Sequence, residues 1–270
     1  MHNILKHYVS VADYIRKHTA LLLISAAIFV ITLYNLTPSF NTYDTSFYVL
    51  AGEKLLNGDG LNCLRTPVYP LFLQLCGWIG GDGGMNTVAT FLQSLLFIFS
   101  VYVLYDTCRR VLKSNTLSFL ITLYYILIPA AGWANEMLTE SLGVSLFVIL
   151  THWIVCFIQR PSTRLNIAIS LLLTVMVLMR PNFISFFVIL PFLWGHQWFK
   201  TKEKVYVWAL LMTTIPMGSY VGYCYAYQQQ YGEFTSSFAT KCNVYFLWDN
   251  NLWNTDLLEN QHEKRSLQTH

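Results

Sequence analysis

Seven apolar stretches, at about 19 to 36, 87 to 105, 116 to 134, 137 to 158, 165 to 181, 182 to 199 and 205 to 226, constrain this chain more than any motif it carries. Each approaches the roughly 17 to 25 residues that a helix needs to cross a bilayer. The fifth is the weakest, because Arg180-Pro181 closes an apolar run that starts only at Ile167. It spans only if Arg180 snorkels to the interface. The chain is 54% hydrophobic and 11% charged, against roughly 25% charged residues in a soluble domain. These patterns predict an all-α, polytopic transmembrane bundle with no soluble second domain, comprising residues 1–226 with a tail at 227–270.

Lys and Arg set the expected topology, because cationic loops stay on the cytoplasmic side. The N-terminus carries Lys6, Arg16 and Lys17. Alternate loops carry Arg109, Arg110 and Lys113, then Arg160 and Arg164, then Lys200, Lys202 and Lys204. That is eleven of the 17 positive residues. Lys54, Arg65, Arg180, Lys241, Lys264 and Arg265 are spread over the longer segments of the other side. The N-terminus is therefore expected inside, and the loop 37–86 and the aromatic tail outside. A net charge of +3 reflects this asymmetry, so nucleic acid is not an expected partner. The first span is followed by Pro38 and aromatic or polar residues, not by a small-residue cleavage site, which predicts a retained helix. Cys63, Cys76 and Cys242 fall on the outer side, where a disulfide can form; Cys108, Cys156 and Cys224 read as small apolar residues in or beside helices.

The outer loop has its own pattern. Apolar positions from Asp44 to Leu56 recur at helical spacing and stop at Asn57-Gly58-Asp59-Gly60. A second apolar segment, Tyr69 to Ile79, follows Pro67 and Pro70 and stops at Gly80-Gly81. Both are too short to cross and are expected to lie at the interface or to re-enter it.

Ionisable groups beside lipid are costly unless they face water or a polar ligand, which makes them functional candidates. Asp44 stands close to the first span and can serve as a general base; its local alternative is an N-cap accepting from Ser46 or Phe47. Arg65 and Arg180 share the predicted outer face, where a guanidinium can hold a departing phosphate or an ordinary lipid headgroup. Glu136 and Glu140 open the fourth apolar stretch at i,i+4 spacing, expected on one helical face, where they can bind a metal or sugar hydroxyls, orient an arginine, or complement the helix dipole. His152 reads as a packed or hydrogen-bonded mid-helix residue. No His-Glu-x-x-His, Walker loop or Gly-x-Ser-x-Gly is present, so zinc protease, ATPase and serine hydrolase chemistry have no support.

Asp44-Thr45-Ser46-Phe47-Tyr48-Val49-Leu50-Ala51 with Leu55-Leu56-Asn57-Gly58, then Arg65-Thr66-Pro67-Val68-Tyr69-Pro70, then Leu138-Thr139-Glu140-Ser141-Leu142 and Met179-Arg180-Pro181, resemble the GT-C superfamily of membrane glycosyltransferases. The nearest group in pattern is the protein O-mannosyltransferase and aminoarabinose-transferase-like enzymes. The likeness covers roughly residues 20 to 200. It implies an inverting transfer from a polyprenyl-phosphate sugar to a lipid, glycan or protein acceptor, with membrane lipids around the site. Asp44 would be the base, Arg65 and Arg180 the phosphate-binding cations, and Tyr48, Tyr69, Glu136 and Glu140 the supporting or substrate-binding residues. The implied chemistry runs with or without a divalent metal, for which Asp44 and Glu140 are the candidate ligands. Thr45 and Leu64 stand where relatives often carry further acids, which leaves fewer donors for that metal. Two other readings are a transporter or flippase for a lipid-linked sugar, and an inactive fragment or subunit of a larger transferase. The second arises because the chain ends soon after the seventh stretch, where relatives continue.

Overall fold

The computed structural model describes residues 2–35, 43–81 and 83–237. Pro38, Cys242 and the aromatic tail from residue 238 lie outside them. All regular structure among the described residues is helical: α1 (His2–Asn35), α2 (Tyr43–Leu56), α3 (Val68–Gly80), α4 (Met85–Leu112), α5 (Asn115–Leu127), α6 (Thr139–Gln159), α7 (Thr163–Met179), α8 (Phe186–Thr201), α9 (Lys204–Met212) and α10 (Thr214–Tyr231). Among the described residues three segments are long and apolar enough to cross a membrane: α4, α6 and the nearly continuous run Lys204–Tyr231. Residues 18–34 of α1, together with α3, α5 and α7, are shorter apolar helices. A helix satisfies its own backbone, which suits a chain whose surface carries Phe29, Trp78, Val188 and Phe192 exposed.

Local chemistry explains where the helices stop. Ser114 and Ser162 cap α5 and α7 by accepting from the amides of Leu117 (3.3 Å) and Leu165 (3.2 Å). The expected stretch 116–134 is not one helix. Pro129 forces Ile128 into an extended conformation (φ −74°, ψ 162°), α5 ends at Leu127, and Pro129–Asn135 forms a 3-10 turn. Pro181 does the same at Arg180 (φ −144°, ψ 117°), which ends α7 as expected and opens a second 3-10 turn, Pro181–Ser185.

Three buried clusters hold the bundle. Leu23, Ala27 and Ile31, spaced four apart on α1, belong to one buried cluster with Phe97 and Val101 of α4, Tyr125 and Ile126 of α5, and Val148 and Ile149 of α6. Phe157, Trp194 and Tyr206 join α6, α8 and α9, with the Phe157 ring edge-on to both others (centroids 4.9 and 5.7 Å). The third cluster gathers Tyr48, Tyr69, Leu73, Cys76, Ala89, Met137 and Met179 where α2 and α3 meet the bundle. α2 and α3 are the two short helices expected after the first span.

Side-chain bonds give the helix directions. Gln93, early in α4, reaches the segment just before α6, while Thr107 and Arg110, late in α4, meet His152 and Gln159, late in α6. These two helices therefore run parallel. Arg180, just past α7, meets Glu140, at the start of α6, so α7 runs back. The ends of α7 and the starts of α4 and α6 thus share one end of the bundle with α2 and α3.

Candidate active site

At that end, α2, the 57–67 loop, the start of α6 and the end of α7 converge, and each supplies one ionic side chain. Asp44 stands inside the first turn of α2, and its carboxylate pairs with the Arg65 guanidinium. It is a helical residue one place past the helix start, so the N-cap reading gives way to a carboxylate aimed across the loop. Glu140 Oε1 accepts from Arg180 Nη1 at 2.9 Å. Both pairs are part-exposed, with side-chain exposures of 18% and 49% for Arg65 and Asp44 and 30% and 32% for Arg180 and Glu140. Pairs this open contribute about 0–1 kcal/mol to stability, which is too little to explain why the fold gathers four charges here.

Tyr48 links the two pairs. The Arg65 guanidinium lies 4.6 Å above its ring, with Phe47 at 5.9 Å, so two aromatic faces hold the cation in place. Thr139 Oγ1 gives its one hydrogen to Glu140 Oε2 at 3.2 Å and therefore accepts from the Tyr48 hydroxyl at 3.4 Å. The chain Asp44, Arg65, Tyr48, Thr139, Glu140, Arg180 is continuous. The Nε of Arg65 is buried and has no hydrogen-bond partner.

Tyr69 is fully buried beneath this chain, edge-on to Tyr48 at 4.8 Å, and donates to Gln93 Oε1 at 2.9 Å. Burial, with smaller contributions from Tyr48, Glu140 and Cys76, pushes the phenol above its ordinary range. It is a neutral donor, supporting the site from below. Gln93, also fully buried, passes its amide hydrogens to the carbonyls of Glu136 (2.7 Å) and Ala134 (3.4 Å).

Glu136 departs from expectation. Its backbone is extended (φ −118°, ψ 144°) and Leu138 is extended too (φ −129°, ψ 150°), so α6 starts at Thr139 and Glu136 and Glu140 do not share a helical face. The physical reason is visible in the carbonyls before α6: those of 134 and 136 bond to Gln93 and that of Met137 accepts from Thr45 Oγ1 (3.4 Å). Side chains from other helices have claimed groups that a helical turn would use.

A cavity of about 330 Å³ opens beside the second pair, with Glu140 and Arg180 on one wall and Trp133, Gly143, Phe147 and Phe183 among the others. Asp44 and Arg65 are not on its wall; they lie beyond Tyr48 and Thr139. Among the described residues no three His, Cys, Asp or Glu side chains gather as metal donors, and both proposed ligands, Asp44 and Glu140, already face a guanidinium. Each of these carboxylates is balanced by a cation of the chain itself.

His152, 13 residues into α6 from Thr139, sits about 20 Å along the helix from this end and packs as expected, with Nδ1 2.9 Å from Thr107 Oγ1 and Nε2 3.4 Å from Cys156 Sγ. Cys63 and Cys76 are both buried. The sequence reading missed Gln93 and Thr139. Gln93 had a signal: an amide inside an apolar stretch needs a polar partner even though it carries no charge. No protein-family model and no curated protein matches the chain.

Proposed function

We propose that the chain is a membrane glycosyltransferase that moves a sugar from a polyprenyl-phosphate donor to a hydroxyl of a lipid, glycan or protein acceptor. The observation that carries this reading is the joining of two carboxylate–guanidinium pairs, from four segments of the chain, with the Glu140–Arg180 pair on the wall of a cavity. The GT-C-like motifs quoted above contribute those same four residues. In the full topology we propose, seven stretches cross, the N-terminus is cytoplasmic, and this end of the bundle is extracytoplasmic.

The chemistry follows from the charges. An acceptor oxygen attacks the anomeric carbon, its proton passes to the Asp44 carboxylate, and the bond from that carbon to the phosphate oxygen breaks with its electron pair on the leaving polyprenyl phosphate. Negative charge grows on that phosphate, and two guanidinium groups are within the same network to receive it. In the resting protein Arg65 neutralises Asp44. A bound phosphate competes for Arg65, whose buried Nε–H is unused, and so releases the carboxylate for its role as base. Glu140 keeps Arg180 oriented, and Trp133, Phe147 and Phe183 offer faces on which a sugar can stack.

The direct test uses purified protein in liposomes with polyprenyl-phosphate sugars and a panel of acceptor hydroxyls. Release of polyprenyl phosphate with new glycoside is the expected result. Movement of intact donor across the bilayer without cleavage would move the assignment to a transporter.

Gly143 gives a sharper prediction. It lies three residues after Glu140 on the same face of α6, and a Cβ there would meet Arg180 Cδ, Met179 Cε and Phe183 Cζ at 3.7 Å, an ordinary contact. Gly143→Ala should therefore leave transfer within about twofold of wild type, while Gly143→Leu fills cavity space and should raise the donor KM by about tenfold or more. Equal kinetics for the two variants would take the cavity out of the substrate path.

A further inference from the structure

The segment that carries Arg65 has no regular structure from residue 59 to 67, so its backbone groups need partners from elsewhere. They find them on the last turn of α10, some 170 residues on. Gln230 brackets the backbone of one residue: Leu61 N–H donates to its Oε1 at 2.7 Å and its Nε2 donates to the Leu61 carbonyl at 3.1 Å. The Tyr231 hydroxyl donates to that same carbonyl, and the Tyr227 hydroxyl donates to the Cys63 carbonyl at 3.0 Å. Inside the segment, Asn62 Oδ1 accepts from the amides of Leu64 (2.8 Å) and Arg65 (3.1 Å). Thr66 Oγ1 then donates to the Met179 carbonyl at 2.8 Å, one residue before Arg180. Gly60 completes the fit. Its φ is +91°, and a Cβ there would stand 2.6 Å from Gln230 Oε1.

We infer that the C-terminal turn of α10, through Gln230 with Tyr227 and Tyr231, is a positioning element that holds the 61–65 segment so that Arg65 meets the donor phosphate. This rests on the phosphate role proposed for Arg65. None of these side chains touches the reacting atoms; they act through the loop backbone. A site whose cation sits on an irregular loop depends on such a support for its geometry, because small displacements of a charged donor weaken binding steeply.

The test uses the full chain in nanodiscs, with geranylgeranyl phosphate as the probe ligand. Three measurements are made: probe affinity, hydrogen exchange of the peptide spanning 57–66, and thermal midpoint. Gln230→Ala and, separately, Gly60→Ala should each speed exchange of the Leu61–Arg65 amides and weaken probe binding by about tenfold, the scale of one lost hydrogen bond. The double variant should be no worse than the weaker single one, because both break the same contact. Gln230→Glu, which can still accept from Leu61 N–H, should retain part of the affinity. In turnover the donor KM should rise with kcat held, a split that general destabilisation does not produce. If Arg65→Ala loses the probe while Gln230→Ala and Gly60→Ala bind it as wild type does, the positioning role is wrong and the transferase reading survives. If wild type and Arg65→Ala bind alike, the phosphate role of Arg65 fails, and this inference fails with it.

Discussion

Asp44→Asn should reduce sugar transfer by about 10²–10⁴-fold, the usual contribution of a positioned general base, without loss of membrane insertion or of donor binding. The second half of that expectation is the informative one. Asp44 is the ionic partner of Arg65, so neutralising it frees the guanidinium; donor KM should hold or fall while kcat collapses. A simple structural ion pair behaves differently. Its loss would lower thermal stability slightly, by the small amount such part-exposed pairs contribute, and activity would follow stability. The charge-swapped variant Asp44→Arg with Arg65→Asp separates the two cases. It restores a pair of opposite charges between the same segments but puts the base and the phosphate-binding cation in each other's positions. Transfer should stay lost in the swap. Recovery of turnover there would reduce both residues to structural roles, and unchanged turnover in Asp44→Asn would remove Asp44 from the mechanism. Arg65→Lys should fail to substitute for Arg65, because the guanidinium, held 4.6 Å over the Tyr48 ring, offers a planar fork that an ammonium lacks.

Much of the scaffold around this site was readable from local sequence, because its determinants are local. Asn57-Gly58 and Gly80-Gly81 stop α2 and α3, and Arg180-Pro181 stops α7, within a residue or two of expectation. The four ionic residues were also readable, since charge is conspicuous in a chain so apolar. What the sequence did not carry is who pairs with whom. A phosphate or a lipid headgroup for either arginine, and an arginine for Glu136 or Glu140, are all compatible with the sequence; in the structure each arginine has a carboxylate from another segment, 21 residues away for Arg65 and 40 for Arg180. That partnership is set by how α2 and α6 sit against the loop and α7, and helical periodicity says nothing about it. The Glu136 error has the same origin. An i,i+4 pattern assumes a helix, and the helix was cancelled by Gln93 and Thr45 reaching in from other parts of the chain. Gln230 and Gly60, 170 residues apart, leave no local trace of their fit.

Gln93→Leu should give a protein that inserts normally and packs badly. Leu is among the most favourable residues for membrane insertion, so α4 becomes a better span by composition, and carbonate-resistant membrane association should match wild type. Inside the bundle the substitution removes an amide that is fully buried and bonded on both sides. Tyr69 loses its acceptor, and its phenol, raised by burial, cannot ionise to compensate. The carbonyls at 134 and 136 lose the donor that holds the turn before α6 in place. Each buried group left without its partner costs about 1–3 kcal/mol, and for a chain of this size each kcal/mol lowers the midpoint by about 2–4 °C. A fall of several degrees in detergent, read by fluorescence size-exclusion chromatography, is the expected result. Tyr69→Phe should show a smaller loss, because it strands only the Gln93 amide oxygen, whereas Gln93→Leu takes the acceptor from the phenol and a donor from both carbonyls. The double variant should then be less damaged than the two losses summed, since the same hydrogen bond is counted in both. Activity should fall with Gln93→Leu even below the melting range, because Thr139 and Glu140 begin three residues after Glu136, and the end of the site that holds Arg180 inherits whatever freedom that turn acquires. Additive losses in the cycle, or a midpoint unchanged by Gln93→Leu, would mean that the amide is a spectator and that α6 is held at the site by apolar packing alone.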